Sequence, residues 1–296
     1  MLKMRCMSDM TLSSVGRTAL QEQLSKLEAK LDADVLACIG PIVPGLDDLV
    51  RQAVESLDSK TSRLVVVLDT NGGVIEVVER MVDTLRHHYK EVVFAIPDRA
   101  MSAGTIFALS GDAIMMDYFS VLGPIDPQVR NKKGQLLPAQ GYVDEFDRLV
   151  ELAREGKLTS AEGILLQQLD LGELQQFREA KELSIKLLQR WLVQYKFKDW
   201  TKTETNGKPV TDEMKRVRAK EIASKLSDAR GWHSHGRGIP MKTLTSEALR
   251  LKIDDFGLVE GLTELLRSYL LFLLDFMRQH EWKLFVQTRK FFLGGA

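Results

Sequence analysis

Apolar and polar positions alternate between two periods along this chain. "RLVVVLDT" (63–70) is apolar at successive positions and ends in polar residues, the pattern of a strand buried on both faces. "DVLACIG" (34–40), "EVVFAIP" (91–97) and "AIMMDY" (113–118) read as further strands. Residues 46–57, 74–89 and "SAGTIFALS" (102–110) read as the helices between them. Upstream, Leu20, Leu24, Leu27 and Leu31 recur at spacings of four, three and four and predict a helix over 16–31. Strand and helix alternate four times, which predicts α/β layers around a mostly parallel sheet with right-handed crossovers.

After residue 120 the texture changes. "VLGPIDPQVRNKKGQLLPAQG" reads as loops with a hairpin, and 141–198 is long-helical. Thr211 is placed to cap a helix over 212–227. "ARGWHSHGRGIP" (229–240) is irregular, and "SEALRLK" reads as a short helix. Leu262, Leu266, Tyr269, Leu273 and Phe276 form a helical seam, which Leu270, Leu271, Phe272 and Leu274 widen. Arg278, Lys283, Arg289 and Lys290 then alternate with Trp282, Phe285, Phe291 and Phe292. The expectation for 261–296 is an apolar helical extension that meets another subunit, the rest of the chain, or a membrane surface.

Composition narrows the class. At 296 residues the chain has room for one large domain or two small ones. Lys+Arg and Asp+Glu both number 41, a balance that leaves no electrostatic footprint for nucleic acid. Cys6 and Cys38 have neither metal spacing nor a disulfide framework, which suits a reducing compartment. The first residues lack a signal-peptide apolar core, and no stretch reaches about 18 apolar residues. A cytoplasmic setting, with membrane association through 262–292 as an option, follows as an expectation.

Candidate chemistry lies in two turns. Acyl transfer to a serine requires an exposed hydroxyl, a base, and two donors facing the developing oxyanion. Ser102, in "RAMSAGT", falls at a helix start just past a buried strand. The Ala103 N–H follows it, the helix dipole favours negative charge there, and small residues at Ala103 and Gly104 admit a substrate backbone. "LDTNGG" puts Asn71, Gly72 and Gly73 at the carboxyl end of a neighbouring strand, so the two turns are expected at one sheet edge. Taken singly, Ser102 reads as a helix cap and Gly72-Gly73 as an ordinary turn; together they read as a nucleophile with an oxyanion hole.

"LDTNGG", "AMSAGT" and "VLGPIDPQ" together resemble the serine dehydrogenase proteinase family, grouped with the Clp proteolytic subunit and signal peptide peptidase A in the ClpP/crotonase fold. The second glycine leads the serine by 102 − 73 = 29 positions, which fits the Clp-type pattern. The resemblance covers about residues 15–260 and is strongest over 60–130. It implies a layered βαβ superhelix with a helical handle over 139–228, and a cofactor-free serine peptidase that forms homo-oligomers. Ser102 would be the nucleophile, with the Gly73 and Ala103 N–H groups as oxyanion hole. Asn71, Gly72, Gly104, Gly123 and Pro124 would flank the substrate. Relatives commonly carry Pro where this chain has Asn71.

The base is not marked in the same way. Clp-type enzymes place a His after the serine helix, where this chain reads "YFSVLGPIDPQ". Signal peptide peptidase relatives use Lys, which requires burial to lower its pKa. Lys181 interrupts a stripe of Leu174, Phe177, Ile185, Leu188 and Leu192, so it is either a buried base or a snorkelling lysine. Lys186, with Glu182 four residues before it, reads as a surface ion pair. His235, or His233, in "GWHSHGRGI" is the rival base, and Asp126 either orients a base or caps a turn. His87, His88 and His280 read as surface residues, and no histidine falls in a metal-binding pattern.

The division expected is a peptidase domain over 1–260 and the extension over 261–296. A serine endopeptidase acting on peptides or proteins is the leading reading. A crotonase-like acyl-CoA enzyme and a non-catalytic scaffold are the alternatives. The chain has no ATPase module of its own, so driven unfolding of a substrate would need a separate partner.

Overall fold

Runs that are apolar at every position become strands with helices on both sides, and this positions everything else. The computed structural model describes residues 2–126, 128–130, 136–203, 206–232, 234, 236–247 and 249–295. The chain opens on α1 (Leu2–Leu31) and continues through β1 (Asp34–Ile39), α2 (Leu46–Glu55), β2 (Arg63–Asp69), α3 (Ile75–His88) and β3 (Glu91–Ala95). A two-residue strand β4 (Arg99–Ala100), α4 (Ala103–Leu109), β5 (Ala113–Met116) and β6 (Val121–Leu122) follow. Next come β7 (Gln128–Arg130), β8 (Leu136–Pro138), α5 (Ala139–Arg154), α6 (Ser160–Gln167), α7 (Leu171–Trp191), α8 (Asp212–Leu226) and α9 (Ala229–Trp232). The chain ends with β9 (Ile239–Pro240), α10 (Met241–Thr245), β10 (Asp254–Asp255), α11 (Leu262–Gln279), β11 (Leu284–Gln287) and β12 (Phe292–Gly295).

Two compact units result: Met1–Leu122 with Gly238–Ala296, and Gly123–Arg237. The first is built on a seven-stranded sheet of order β10-β5-β3-β2-β1-β11-β12. Its strands from β10 to β1 are parallel, and β11 and β12 extend it antiparallel past β1. This is the α/β architecture that the alternation predicts. The period of two sorts each strand's side chains. Val35, Ala37, Ile39, Val65, Val67, Val93 and Ala95 pack with α1 and α11, where Leu20, Leu24, Leu27, Tyr269 and Leu273 are fully buried. The intervening residues pack on the other side, where the rings of Phe94 and Phe107 of α4 meet edge to face at 4.7 Å.

The carboxy-terminal residues differ from the sequence reading. Residues 261–296 are not a separate extension, and the boundary at 260 does not hold. The seam of α11 closes the core of the first unit, and the aromatic-basic alternation after it is a strand pair instead of more helix. Phe285 of β11 and Phe292 of β12 pack against one another, and Phe292 and Trp282 both meet Phe276, so the aromatic residues form one cluster. Residues 246–252 likewise form no helix in their described part. The helix there is α10, one step earlier, and Ser246 ends it in extended conformation.

The second unit carries the expected hairpin, with β7 and β8 antiparallel, followed by its helices. Thr211 caps α8 by accepting from the Met214 N–H at 3.2 Å. Among the described residues, no helix is long and apolar enough to cross a membrane.

One buried ion network ties the ends of the first unit together. Arg289, just before β12, meets Asp34 of β1 at 2.6 Å and Glu28 of α1 at 3.0 Å. Asp34 also accepts from the Tyr89 hydroxyl at 2.9 Å and the Thr61 N–H at 3.0 Å. Removing one partner of such a pair leaves a buried charge uncompensated. Arg289→Ala is therefore expected to lower unfolding stability by about 3 kcal/mol, read as a fall in the urea midpoint with little change in slope.

Candidate active site

Two turns meet at the carboxyl edge of the parallel sheet. The first follows β2. Thr70 pairs with Ala100 of β4 in a parallel bridge: its N–H donates to Arg99 O at 3.0 Å and its O accepts from the Met101 N–H at 2.9 Å. The Thr70 hydroxyl accepts from the Gly72 N–H at 3.0 Å. Gly73 then bridges Ile42, whose N–H donates to Gly72 O and whose O accepts from the Val74 N–H, at 3.0 and 2.9 Å. Gly72 and Gly73 have φ of +94° and +153°, and a Cβ on Gly73 would overlap the Ile42 carbonyl.

The second turn holds Ser102. The Gly104 N–H donates to Met101 O at 2.8 Å, closing a four-residue turn with Ser102 as its second residue. Ser102 has φ 54° and ψ −121°, the first central position of a type II′ turn, which ordinarily belongs to glycine. Its side chain makes no capping hydrogen bond to α4, so the helix-cap reading of Ser102 does not hold. A side chain that neither caps nor relaxes its backbone is held under strain, which costs on the order of 1–3 kcal/mol.

The two turns touch. A Cβ on Gly72 would stand 2.6 Å from Met101 O, 2.7 Å from Ser102 Cβ and 3.2 Å from the Ala103 nitrogen. One on Gly104 would overlap the Thr70 methyl, so small residues at both sites permit this contact. The Gly73 N–H and the Ala103 N–H donate to no acceptor among the described residues, whereas the Gly72 N–H is already engaged. Gly73 is exposed, Ser102 is half-buried, and Thr105 beneath them is fully buried, its hydroxyl donating to Ala100 O at 2.7 Å.

The other candidate residues lie in the second unit. Lys181 is on α7, half-buried between Phe177 and Ser184 in the row that includes buried Leu174 and Leu188. Lys186 pairs with Glu182 at 3.3 Å on the surface, as its spacing predicts. Gly123, Pro124 and Asp126 are buried at the start of that unit. His233 and His235 lie outside the described residues. The structure thus brings together Ser102, Ala103, Gly104, Gly72 and Gly73, all in the first unit.

Sequence reading missed Ile42, Thr70 and Asp69. "LDTNGG" contains the last two, but only three-dimensional pairing shows that Thr70 and Ile42 shape the glycine turn. Asp69 closes β2. Burial and the neighbouring Asp98 push its carboxyl up to about 6, partly offset by Arg99.

Fold and turns define an α/β protein with a strained serine at the sheet's carboxyl edge. The model of the ClpP-like SDH-type serine proteinases matches residues 47–212, more than half of the chain, and the chain belongs to that family. An uncharacterized protein of Methanocaldococcus jannaschii is 31% identical over 113 residues, 38% of this chain and 35% of that protein. A second from the same organism is 40% identical over 63 residues, 21% of this chain and 22% of that protein. The chain thus covers only a minor part of the length of these relatives.

Among solved structures, an alanine-for-serine mutant of the 1510-N membrane-bound stomatin-specific protease is 20% identical. Its TM-score is 0.33, over 41% of this chain and 62% of that one. An alanine-for-lysine mutant of the same protease, in complex with a substrate peptide, is 19% identical with a TM-score of 0.32, over 43% and 65%.

Two outcomes follow from the geometry. Ser102→Gly relieves the backbone strain and is expected to raise stability by about 1 kcal/mol, whereas Gly73→Ala lowers it; paired urea titrations read both. The Asp69 carboxyl sits above its ordinary value, so the folded state holds its proton more tightly than the unfolded chain does. Ionised Asp69 therefore subtracts stability above pH 6, and this is recovered as pH falls from 6 towards 4. Asp69→Asn should raise the Tm by roughly 3 °C at pH 7.5, with the gain vanishing near pH 4.

Proposed function

We propose that this chain is a serine peptidase whose nucleophile is the Ser102 hydroxyl. One observation carries the reading: a serine occupies the glycine position of a type II′ turn, with its hydroxyl withheld from the helix it precedes. A serine on a sharp strand-to-helix turn presents its oxygen to an incoming carbonyl. In the reaction proposed, a base takes the hydroxyl proton as Ser102 Oγ bonds the carbonyl carbon. The carbonyl oxygen becomes an oxyanion, stabilised by the free N–H groups of Gly73 and Ala103. Collapse expels the amine, which takes up the proton and leaves an ester on Ser102. Water then attacks that ester by the same route in reverse, releasing the acid.

The substrate is a peptide or protein. Asn71, Gly72 and Gly104 flank its backbone in this reading, with Gly123 and Pro124. The base is Lys181 or His235, with His233 beside the latter. A lysine can serve only where its surroundings hold it neutral at working pH. Copies of the chain assemble through the helices within 139–228 in this reading, and mass measurement in solution tests whether they assemble.

The decisive experiment is labelling with a fluorophosphonate, followed by intact mass and peptide mapping. The expected result is one adduct, on Ser102, absent from Ser102→Ala. That variant should keep its fold and lose peptidase activity by about a thousandfold or more. A folded chain that takes no label at Ser102 rejects the reading. Lys181→Gln and His235→Gln, assayed side by side, assign the base to whichever variant loses both labelling and turnover.

A further inference from the structure

A second site lies in the first unit, next to the glycine turn but not lined by Ser102, Gly73 or Ala103. It is a cleft of about 390 Å³ between the carboxyl ends of β1 and β2 and the segment that joins α11 to β11. Asp69 and Asn71 line it from the sheet side, Leu274 and Met277 from α11, and Trp282 and Lys283 from the joining segment. Its volume falls in the range that accepts small ligands.

Two charges in this lining, Asp69 and Lys283, have no partner among the described residues. The Asp69 carboxylate accepts no hydrogen bond and joins no ion pair among the described residues. Burial and repulsion by Asp98 destabilise its ionised form, while Arg99 is engaged with Asp98 at 2.9 Å. Lys283 likewise has no ion-pair partner among the described residues, and its ammonium does not reach Asp69. Arg278 at the same rim has Asp275 at 3.5 Å. The same cleft is lined by Met277, which is buried, and by Leu274 and Trp282, which are partly so, giving it an apolar component.

Each simple class of ligand leaves something uncompensated. An anion would meet Asp69, and a cation would meet Lys283 and Arg278. An apolar molecule would take Asp69 further from water with no donor to replace it. A molecule with an ammonium at one end, a carboxylate at the other and an apolar body compensates all three. We propose that this cleft binds a short apolar peptide with both termini free, its ammonium on Asp69 and its carboxylate at Lys283. Charge-assisted hydrogen bonds at both ends give the recognition its strength. The inference does not require Ser102 to be a nucleophile.

Calorimetry on the full chain tests it, with leucyl-leucine as probe beside its N-acetyl and carboxamide forms. The free dipeptide is expected to bind, and each cap to weaken binding by about tenfold. In Asp69→Asn the free and N-acetyl forms should bind alike; in Lys283→Gln the free and amide forms should. Both side chains are removed from sites where a stable fold does not need them, and the Tm of each variant verifies this. Absence of binding at millimolar dipeptide, binding that ignores both caps, or full binding to the Asp69→Asn/Lys283→Gln double variant would each overturn the proposal. None of these outcomes bears on labelling of Ser102, so the two readings fail separately.

Discussion

The site depends on one constraint: two single-residue parallel bridges that continue the sheet past the ends of its strands. Ile42 with Gly73, and Thr70 with Ala100, hold the glycine turn and the serine turn to neighbouring backbone on fixed hydrogen bonds. Because Thr70 pairs with the backbone on both sides of Ala100, the chain must reverse sharply at Ser102 to enter α4. The closing bond from the Gly104 N–H to Met101 O makes that reversal a type II′ turn. The positive φ at Ser102 is thus a consequence of sheet pairing two residues away. The same pairing leaves the Ala103 N–H at the start of a helix, without an acceptor among the described residues.

The core below supplies the rigidity that such strain needs. β1, β2 and β3 are buried on both faces, and α1 with α11 seals one of them. Chain ends usually fray, but here β11 and β12 widen the sheet, and Arg289 locks to Asp34 and Glu28 near the strands' amino ends. The carboxy-terminal segment therefore has two consequences. It completes the core, and through Leu274, Met277, Trp282 and Lys283 it supplies one wall of the cleft at the opposite, carboxyl edge.

What the amino-acid sequence made legible follows from how strongly local pattern is tied to environment. β1, β2, β3 and β5 could be read almost to the residue because strands buried on both faces tolerate only apolar side chains. The serine and glycine turns could be paired because adjacent parallel strands must end at one edge. Residues 261–296 left their partner open because a wide apolar helix looks alike whether it covers its own sheet or a neighbour's. The basic and aromatic residues after it are irregularly spaced, so neither a strand period nor a helix period marks them. Lys181 posed a different problem. A stripe fixes the face of α7 it occupies but not its depth, and half-burial is what a snorkelling lysine also shows. Ile42 was invisible because its part is played by backbone atoms, which any residue supplies.

The spatial arrangement gives the serine its meaning. Around this edge, four positions disfavour a side chain: 72 and 73 by backbone and contact, 104 by contact with Thr70, and 102 by its φ of 54°. Three of them are glycine, the residue that meets such demands without strain. The fourth is Ser102, which gains no capping bond from its hydroxyl and bears a cost that glycine would avoid. Stability alone favours glycine at all four. Under the proposed function, departure from glycine at the one position that carries a hydroxyl next to the glycine turn is what chemistry at that oxygen requires and packing does not.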